Sequence, residues 1–219
     1  MTQKEDWNYS AQELLQKYNV TEQGLNNAQV EEIRGQIGEN ILQEGKKKST
    51  LEVFLGQFCD LLVVILIIAA IISMFSGNAE STIVILLVLV MNAVLGTVQH
   101  IKAQRSLESL KQLSAPNAKV IRNGVKQEVP SREIVPGDIV MLEAGDMIVA
   151  DGRILHNYSL QVNESSLTGE STNVEKTDTV IEGKAALADR VNMVYSGSLV
   201  TYGRAQVLVT GTGMKTELG

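Results

Sequence analysis

One cysteine in 219 residues, Cys59, leaves no partner for an internal disulfide. No disulfide framework is possible, and the soluble parts are expected in a reducing compartment. The Asn-x-Ser/Thr matches at Asn8, Asn19, Asn157 and Asn163 are then accidental rather than glycosylation sites. Aromatic residues are also scarce, 4% against 44% hydrophobic, so the apolar content is Ile, Leu and Val, a profile suited to lipid or to tight aliphatic packing. An excess of basic charge is missing as well. With 19 Lys and Arg against 25 Asp and Glu, the formal charge of −6 argues against a general nucleic-acid binder. The first fifty residues are too polar for a signal peptide. His100 and His156 stand far apart with no Cys or carboxylate at metal-ligand spacing, so no zinc site is expected. "GTGMKT", Gly211 to Thr216, fails as a phosphate loop because Met214 intrudes on the required spacing, and it reads as a linker.

What the chain has in quantity is long aliphatic runs. "LLVVILIIAAII", Leu61 to Ile72, is extended by Ser73, Met74 and Phe75 on one side and by Val53, Phe54, Leu55 and Phe58 on the other. A run of this length alone fits a buried core helix as well as a span, since crossing takes about 20 residues. After the short loop "SGNAEST", a second stretch, Ile83 to Val98, is interrupted only by Asn92, Gly96 and Thr97. The two together predict a transmembrane helical hairpin with spans of about 54–75 and 82–101, within a segment 51–115. A soluble core helix would show a polar face. Lys46, Lys47 and Lys48 precede the first span and Lys102 and Arg105 follow the second, while the connecting loop carries Glu80 and no basic residue. The positive-inside rule therefore puts both ends in the cytoplasm. Asp60, near the cytoplasmic border of the first span, is either functional or simply in reach of water.

Residues 1–50 read as a polar, cytoplasmic helical region. Leu14, Leu15 and Tyr18 recur at helical spacing, and a second helix carries Val30, Ile33 and Ile37 until Gly38 and Asn40 break it. The second span has no Gly or Pro between His100 and Leu113, which predicts a stalk continuing past the membrane. Beyond Pro116 the pattern turns alternating and turn-rich. Asn123-Gly124 between β-prone runs signals a hairpin, and the later segments predict an antiparallel β-sandwich or distorted jelly roll over 116–212. Residues 213–219 read as a linker. The fold class expected is mixed α and β.

Within the β region lies "NESSLTGES", Asn163 to Ser171. Acidic and hydroxyl residues in a loop are ordinary turn composition. Here Gly169 lets the backbone turn tightly, Thr168 and Ser171 supply hydroxyls, and Glu170 projects from a rigid scaffold, where a carboxylate can take a proton from an attacking water. No nucleophile or metal partner is local, so the substrate has to come from another domain.

Thr168-Gly169-Glu170-Ser171, inside "VNESSLTGES", resembles the actuator signature of the P-type ATPases of the calcium-pump group. "PGDIVMLEAGDMIVADGRI" from Pro136, "FCDLLVVILIIAAIIS" from Phe58, "NAVLGTVQ" from Asn92 and the closing "GTGMKTELG" extend the resemblance over nearly the whole chain. The resemblance implies an N-terminal cytoplasmic region, the first two transmembrane helices and an actuator domain. It implies that Glu170 orients and activates water against an aspartyl phosphate in a separate domain. Gly169 would allow close approach, Thr168 and Ser171 would shape the loop, and the long second helix would transmit actuator rotation to the membrane gate. ATP and Mg2+ would serve the full-length pump, with none bound in this segment. The implied partners are membrane lipid, the phosphorylation and nucleotide-binding domains of the same polypeptide, and a transported cation, Ca2+. The implied location is a membrane, the plasma membrane, with the N terminus and actuator cytoplasmic.

Two positions depart from the family pattern. Val149 stands where Pro is usual before Ala-Asp, and Cys59 stands where calcium pumps often carry a gating glutamate, which bears on calcium specificity. No Asp-Lys-Thr-Gly-Thr phosphorylation motif is present; "EKTDT" at Glu175 only resembles one. The expectation is a fragment that alone neither binds ATP in the family's manner nor pumps. Two readings of different class remain at this stage: a catalytic part of an ATP-driven cation translocase, and a non-catalytic membrane-anchored β domain acting as a binding or regulatory module.

Overall fold

The computed structural model describes residues 4–42, 49–113, 116–169 and 172–219, with the side chains of 110–113 outside the description. The chain divides into two compact units, Met1–Gln43 with Ala115–Gly219, and Glu44–Ser114.

In the first unit, α1 (Ala11–Lys17) and α2 (Asn27–Ile37) each start at a capping box, Ser10 with Glu13 and Asn26 with Gln29. They precede an antiparallel sheet of β1 (Asn117–Arg122), β2 (Val125–Pro130), β3 (Ile139–Glu143), β4 (Asp151–Asn163), β5 (Asn173–Glu175), β6 (Met193–Val194) and β7 (Leu199–Gly211). The strand order is β2-β1-β3-β7-β4-β5, with β6 pairing to β4. The hairpin expected at Asn123-Gly124 forms: both residues have positive φ, 52° and 72°, and Arg122 faces Val125 across the two-residue turn.

Both faces are buried in the strands β1, β3, β4 and β7. Val120, Val140, Ile154, Val207 and Val209 belong to one cluster of buried residues, together with Leu160 and Val162. Their strand neighbours Ile121, Ile139, Leu155 and Leu208 point the other way, because successive side chains alternate, and pack with Leu14, Val20, Leu25 and Val30 of the N-terminal region. The N-terminal residues therefore complete the core of the β region.

Hydrogen bonds seal this contact. Asn123 N–H donates to Leu25 O (3.1 Å) and Gly124 N–H to Gln23 O (2.7 Å). Asn8 Nδ2 donates to Ile181 O and Gly183 O, both at 2.8 Å. Arg190 stacks on Trp7, 3.9 Å from the ring centroid. Arg153 is fully buried and donates to the carbonyls of Tyr9, Asp178 and Thr179, and to that of Ile154 in a very short contact. Burial pulls its guanidinium down to about 10, which leaves it charged at neutral pH. A second buried cation, Arg122, forks onto Asp138 at 2.8 and 2.7 Å.

The second unit holds α3 (Thr50–Gly56), α4 (Leu61–Phe75) and α5 (Ala79–Leu113). The first apolar stretch is broken between α3 and α4, bent by 68°. Asp60 explains the restart: its backbone is extended and its carboxylate accepts the Leu62 N–H at 2.9 Å, capping α4. Helix α5 runs 35 residues, about 52 Å at 1.5 Å per residue. It is long and apolar enough to cross a membrane, and α3 with α4 makes a second if the bent pair is one span. Leu61, Phe75, Ile83, Leu87 and Met91 are all exposed.

Candidate functional site

Thr168 and Gly169 sit in the connection between β4 and β5. The hairpin closes with Gln161 facing Glu175, Val162 facing Val174 and Asn163 facing Asn173. A bend in the scaffold precedes these rungs. Ser159 has φ 54°, the β4–β7 register shifts between Tyr158 and Gln161, and Gly203 on β7 lies so close to the carbonyls of Tyr158 and Ser159 that no Cβ fits there. The irregularity interrupts the β4–β7 ladder just ahead of the loop.

The loop begins as one helical turn, α6 (Ser165–Thr168). Asn163 Oδ1 accepts the Ser165 N–H at 3.1 Å, an Asx turn that starts it. Glu164 O then accepts the N–H groups of Leu167 (2.9 Å) and Thr168 (3.0 Å) and the Thr168 hydroxyl (3.1 Å). Gly169 ends the turn with φ 76°, a left-handed cap that an ordinary side chain disfavours. Ser166 Oγ donates to Gly197 O at 3.1 Å, tying the turn to a neighbouring segment.

Of the four residues expected to form the site, Thr168 and Gly169 are adjacent at the end of this turn. Glu170 and Ser171 lie outside the described residues.

Below the loop is a charge pair that sequence reading passed over. Lys176 Nζ lies 2.6 Å from Glu164 Oε1, and both side chains are 1% exposed. Burial pushes the Lys176 ammonium below its ordinary range, and the Glu164 carboxylate pulls it back. Tyr195 lies alongside, its ring centroid 5.7 Å from the ammonium, and burial pushes its phenol upward. The available signal was positional: Glu164 and Lys176 flank the loop at the two ends of one hairpin. Asp151 forms another buried acceptor, taking the N–H groups of Ser196 (2.8 Å) and Glu217 (2.7 Å). Burial holds its carboxyl above 3.8, against the pull of those two donors.

Among the described residues, no group of three or more His, Cys, Asp or Glu side chains could hold a metal ion. The described residues therefore offer no donor set for a resident Mg2+.

The described geometry is a single helical turn carried on the β4–β5 hairpin, with a buried ion pair at its base. Comparisons with known proteins give this arrangement a context. The sequence model of the P-type ATPase actuator domain matches residues 112–219, and that of the cation transporter/ATPase N-terminus matches residues 6–73. The chain is 47% identical over 213 residues, 97% of its length, to calcium-transporting ATPase 1 of Lactococcus lactis. It is 45% identical over 210 residues, 96% of its length, to a calcium-transporting ATPase of Listeria monocytogenes. A probable cation-transporting ATPase F of Mycobacterium tuberculosis is 39% identical over 196 residues, 90% of the chain. These matches cover 24%, 24% and 22% of the relatives, so the chain spans about a quarter of their length. Together these matches show that the chain belongs to the P-type ATPase family, of which it carries the N-terminal region and the actuator domain.

Proposed function

We propose that this chain is the part of an ATP-driven cation pump that ends the phosphorylated state of each cycle. Glu170 accepts a proton from a water lying in line with an aspartyl phosphate in another domain. The water oxygen bonds to phosphorus, the bond from phosphorus to the aspartate oxygen breaks, and inorganic phosphate and the free carboxylate result. A positioned carboxylate of this kind accelerates proton transfer by about 10²–10⁴-fold. The observation that carries the reading is the placement of Thr168 and Gly169 at the end of a hydrogen-bonded turn, with Glu170 next in the chain. Withdrawing such a loop at other stages keeps water from the intermediate.

The membrane hairpin belongs to the same reading. It is supported by the outward-facing aliphatic side chains of α4 and α5. It is also supported by Lys102 and Arg105 on α5 and by Lys46 to Lys48, which lie outside the described residues. This orientation keeps the actuator domain in the cytoplasm, beside the phosphorylation and nucleotide-binding domains and their substrate ATP. Ca2+ is the proposed cargo, on the strength of the Lactococcus and Listeria relatives being calcium-transporting ATPases. ATP hydrolysis by the complete pump, measured against Ca2+, Mn2+ and Na+ in turn, tests the cargo.

The test of the loop is Glu170→Gln in the pump that carries this chain. Phosphoenzyme should form from ATP at the parent rate and decay at least 10²-fold more slowly. Parent-like turnover refutes the role given to Glu170.

A further inference from the structure

We infer that the buried Glu164–Lys176 ion pair is the positioning device of the Thr168–Ser171 loop, an inference that rests on the function proposed above. Glu164 immediately precedes the helical turn, and Lys176 immediately follows β5, so the pair closes the base of the loop across the hairpin. At 2.6 Å, with both side chains 1% exposed, it is an acid–base contact shut away from solvent. Such a contact is a poor way to gain stability, because a well-packed apolar pair of similar volume holds two strands as well or better. What it supplies is direction. A carboxylate and an ammonium in contact fix the separation of the two loop ends at one value, where an apolar pair tolerates sliding.

The fixed end leads straight to the motif. The Glu164 side chain is pinned by Lys176, and the Glu164 carbonyl accepts both the N–H and the hydroxyl of Thr168, at 3.0 and 3.1 Å. Thr168 precedes Gly169, whose left-handed backbone sets the direction in which residue 170 leaves. Lys176 is anchored in turn: its N–H donates to Leu160 O at 2.9 Å, and its carbonyl accepts Asn157 Nδ2 at 2.6 Å. Tyr195 backs the ammonium from within the core, and Gly197, two residues on, receives the Ser166 hydroxyl. One line of contacts thus runs from the sheet interior through Lys176, Glu164 and Thr168 to Gly169. Neither member of the pair touches the reacting atoms; both act through the loop.

The experiment measures formation and decay of phosphoenzyme in the pump carrying this chain. Lys176→Met and Glu164→Gln should leave formation unchanged and slow decay tenfold or more. Glu164→Asp, which keeps the charge but falls one methylene short, should slow decay by less. The double variant Glu164→Gln with Lys176→Met leaves no unpaired buried charge, and so stays folded where a single variant fails; its decay should remain slow. In a Glu170→Gln background, Lys176→Met should slow decay no further, because the pair acts through that carboxylate. Parent-rate decay in the double variant, slowing that adds to that of Glu170→Gln, or a parallel loss of formation each overturns the inference. If Glu170→Gln itself decays at the parent rate, the proposed function fails first. If Glu170→Gln is long-lived while the pair variants decay normally, only the present inference fails.

Discussion

Two substitutions at Gly169 separate the demands of the loop's own backbone from those of whatever the loop approaches. Gly169 has φ 76° and ψ −3°, and among the described residues no atom lies within 4 Å of where a Cβ would stand. A methyl group there meets none of the described residues, so the local cost the structure shows is that of the left-handed backbone, about 1–2 kcal/mol for an ordinary L-residue. That corresponds to roughly a 5- to 30-fold smaller population of correctly formed loop. Asn visits the left-handed region more readily, so its local cost is smaller. If backbone geometry were the whole demand, Gly169→Asn would outperform Gly169→Ala. If the loop enters a crowded phosphorylated site, the order inverts, because the larger Asn side chain occupies space that the phosphate and its surroundings need. We expect the inverted order, with both variants folded and thermal unfolding close to the parent. The assay labels phosphoenzyme with radioactive ATP, chases with unlabelled ATP and follows decay by acid quench. Asn decaying faster than Ala would refute the close approach and reduce Gly169 to a backbone cap.

Three further outcomes follow from the packing. Leu14→Ala empties a fully buried site in the contact between the N-terminal helices and the sheet, and should cost about 2–5 kcal/mol. Trp7, the single tryptophan, lies in the same docked segment, so its fluorescence in this chain reports the loss as an earlier melting transition. Arg122→Met leaves the Asp138 carboxylate buried without its cation and should cost about 3–5 kcal/mol; adding Asp138→Asn should recover part of that in thermal unfolding. Asp151 should give a pH signature. Its folded pKa is raised above 3.8, so its contribution to stability is fully present below that value and is lost as pH rises through the folded pKa. Asp151→Asn keeps one acceptor for two N–H donors and should cost about 1–3 kcal/mol at acid pH. That penalty should shrink toward neutral pH in denaturant unfolding; a penalty that grows with pH would contradict the sign.

The parts legible in the sequence are those with local causes. Asn123-Gly124 makes its hairpin because two adjacent residues that tolerate positive φ match the twist of the strands they join. Gly38, with φ 91°, ends α2 where the periodicity of Val30, Ile33 and Ile37 stops. The break in the first apolar stretch is not legible: the sequence predicts one span of about 54–75, where the structure bends by 68° between α3 and α4. Asp60 reads as a carboxylate at the border of that span, and its use as the cap that restarts α4 depends on a backbone conformation that composition does not reveal.

The docking of the N-terminal region was hidden for a different reason, and the same reason hid the brace of the loop. Alternation in the β segments predicts a sandwich or jelly roll without showing what covers each face, and Ile121, Ile139, Leu155 and Leu208 lie beside core residues of the opposite parity. Apolar residues at both parities mean burial on both faces, and the second face needs a cover. Among the described residues that cover comes from Leu14, Val20, Leu25 and Val30, far along the chain from the strands they meet, which no local window connects. Glu164 likewise counted as one acid among several in a polar loop, and Lys176 as part of "EKTDT", a look-alike for a phosphorylation motif. Their meaning arises only when β4 and β5 pair and place both charges in a dry interior. A motif residue is legible because chemistry constrains its type, whereas a brace is legible only after folding has chosen its partner. The residues that aim a projecting loop are therefore sought among buried polar pairs at its base, where burial makes a mismatched charge costly enough to hold one geometry.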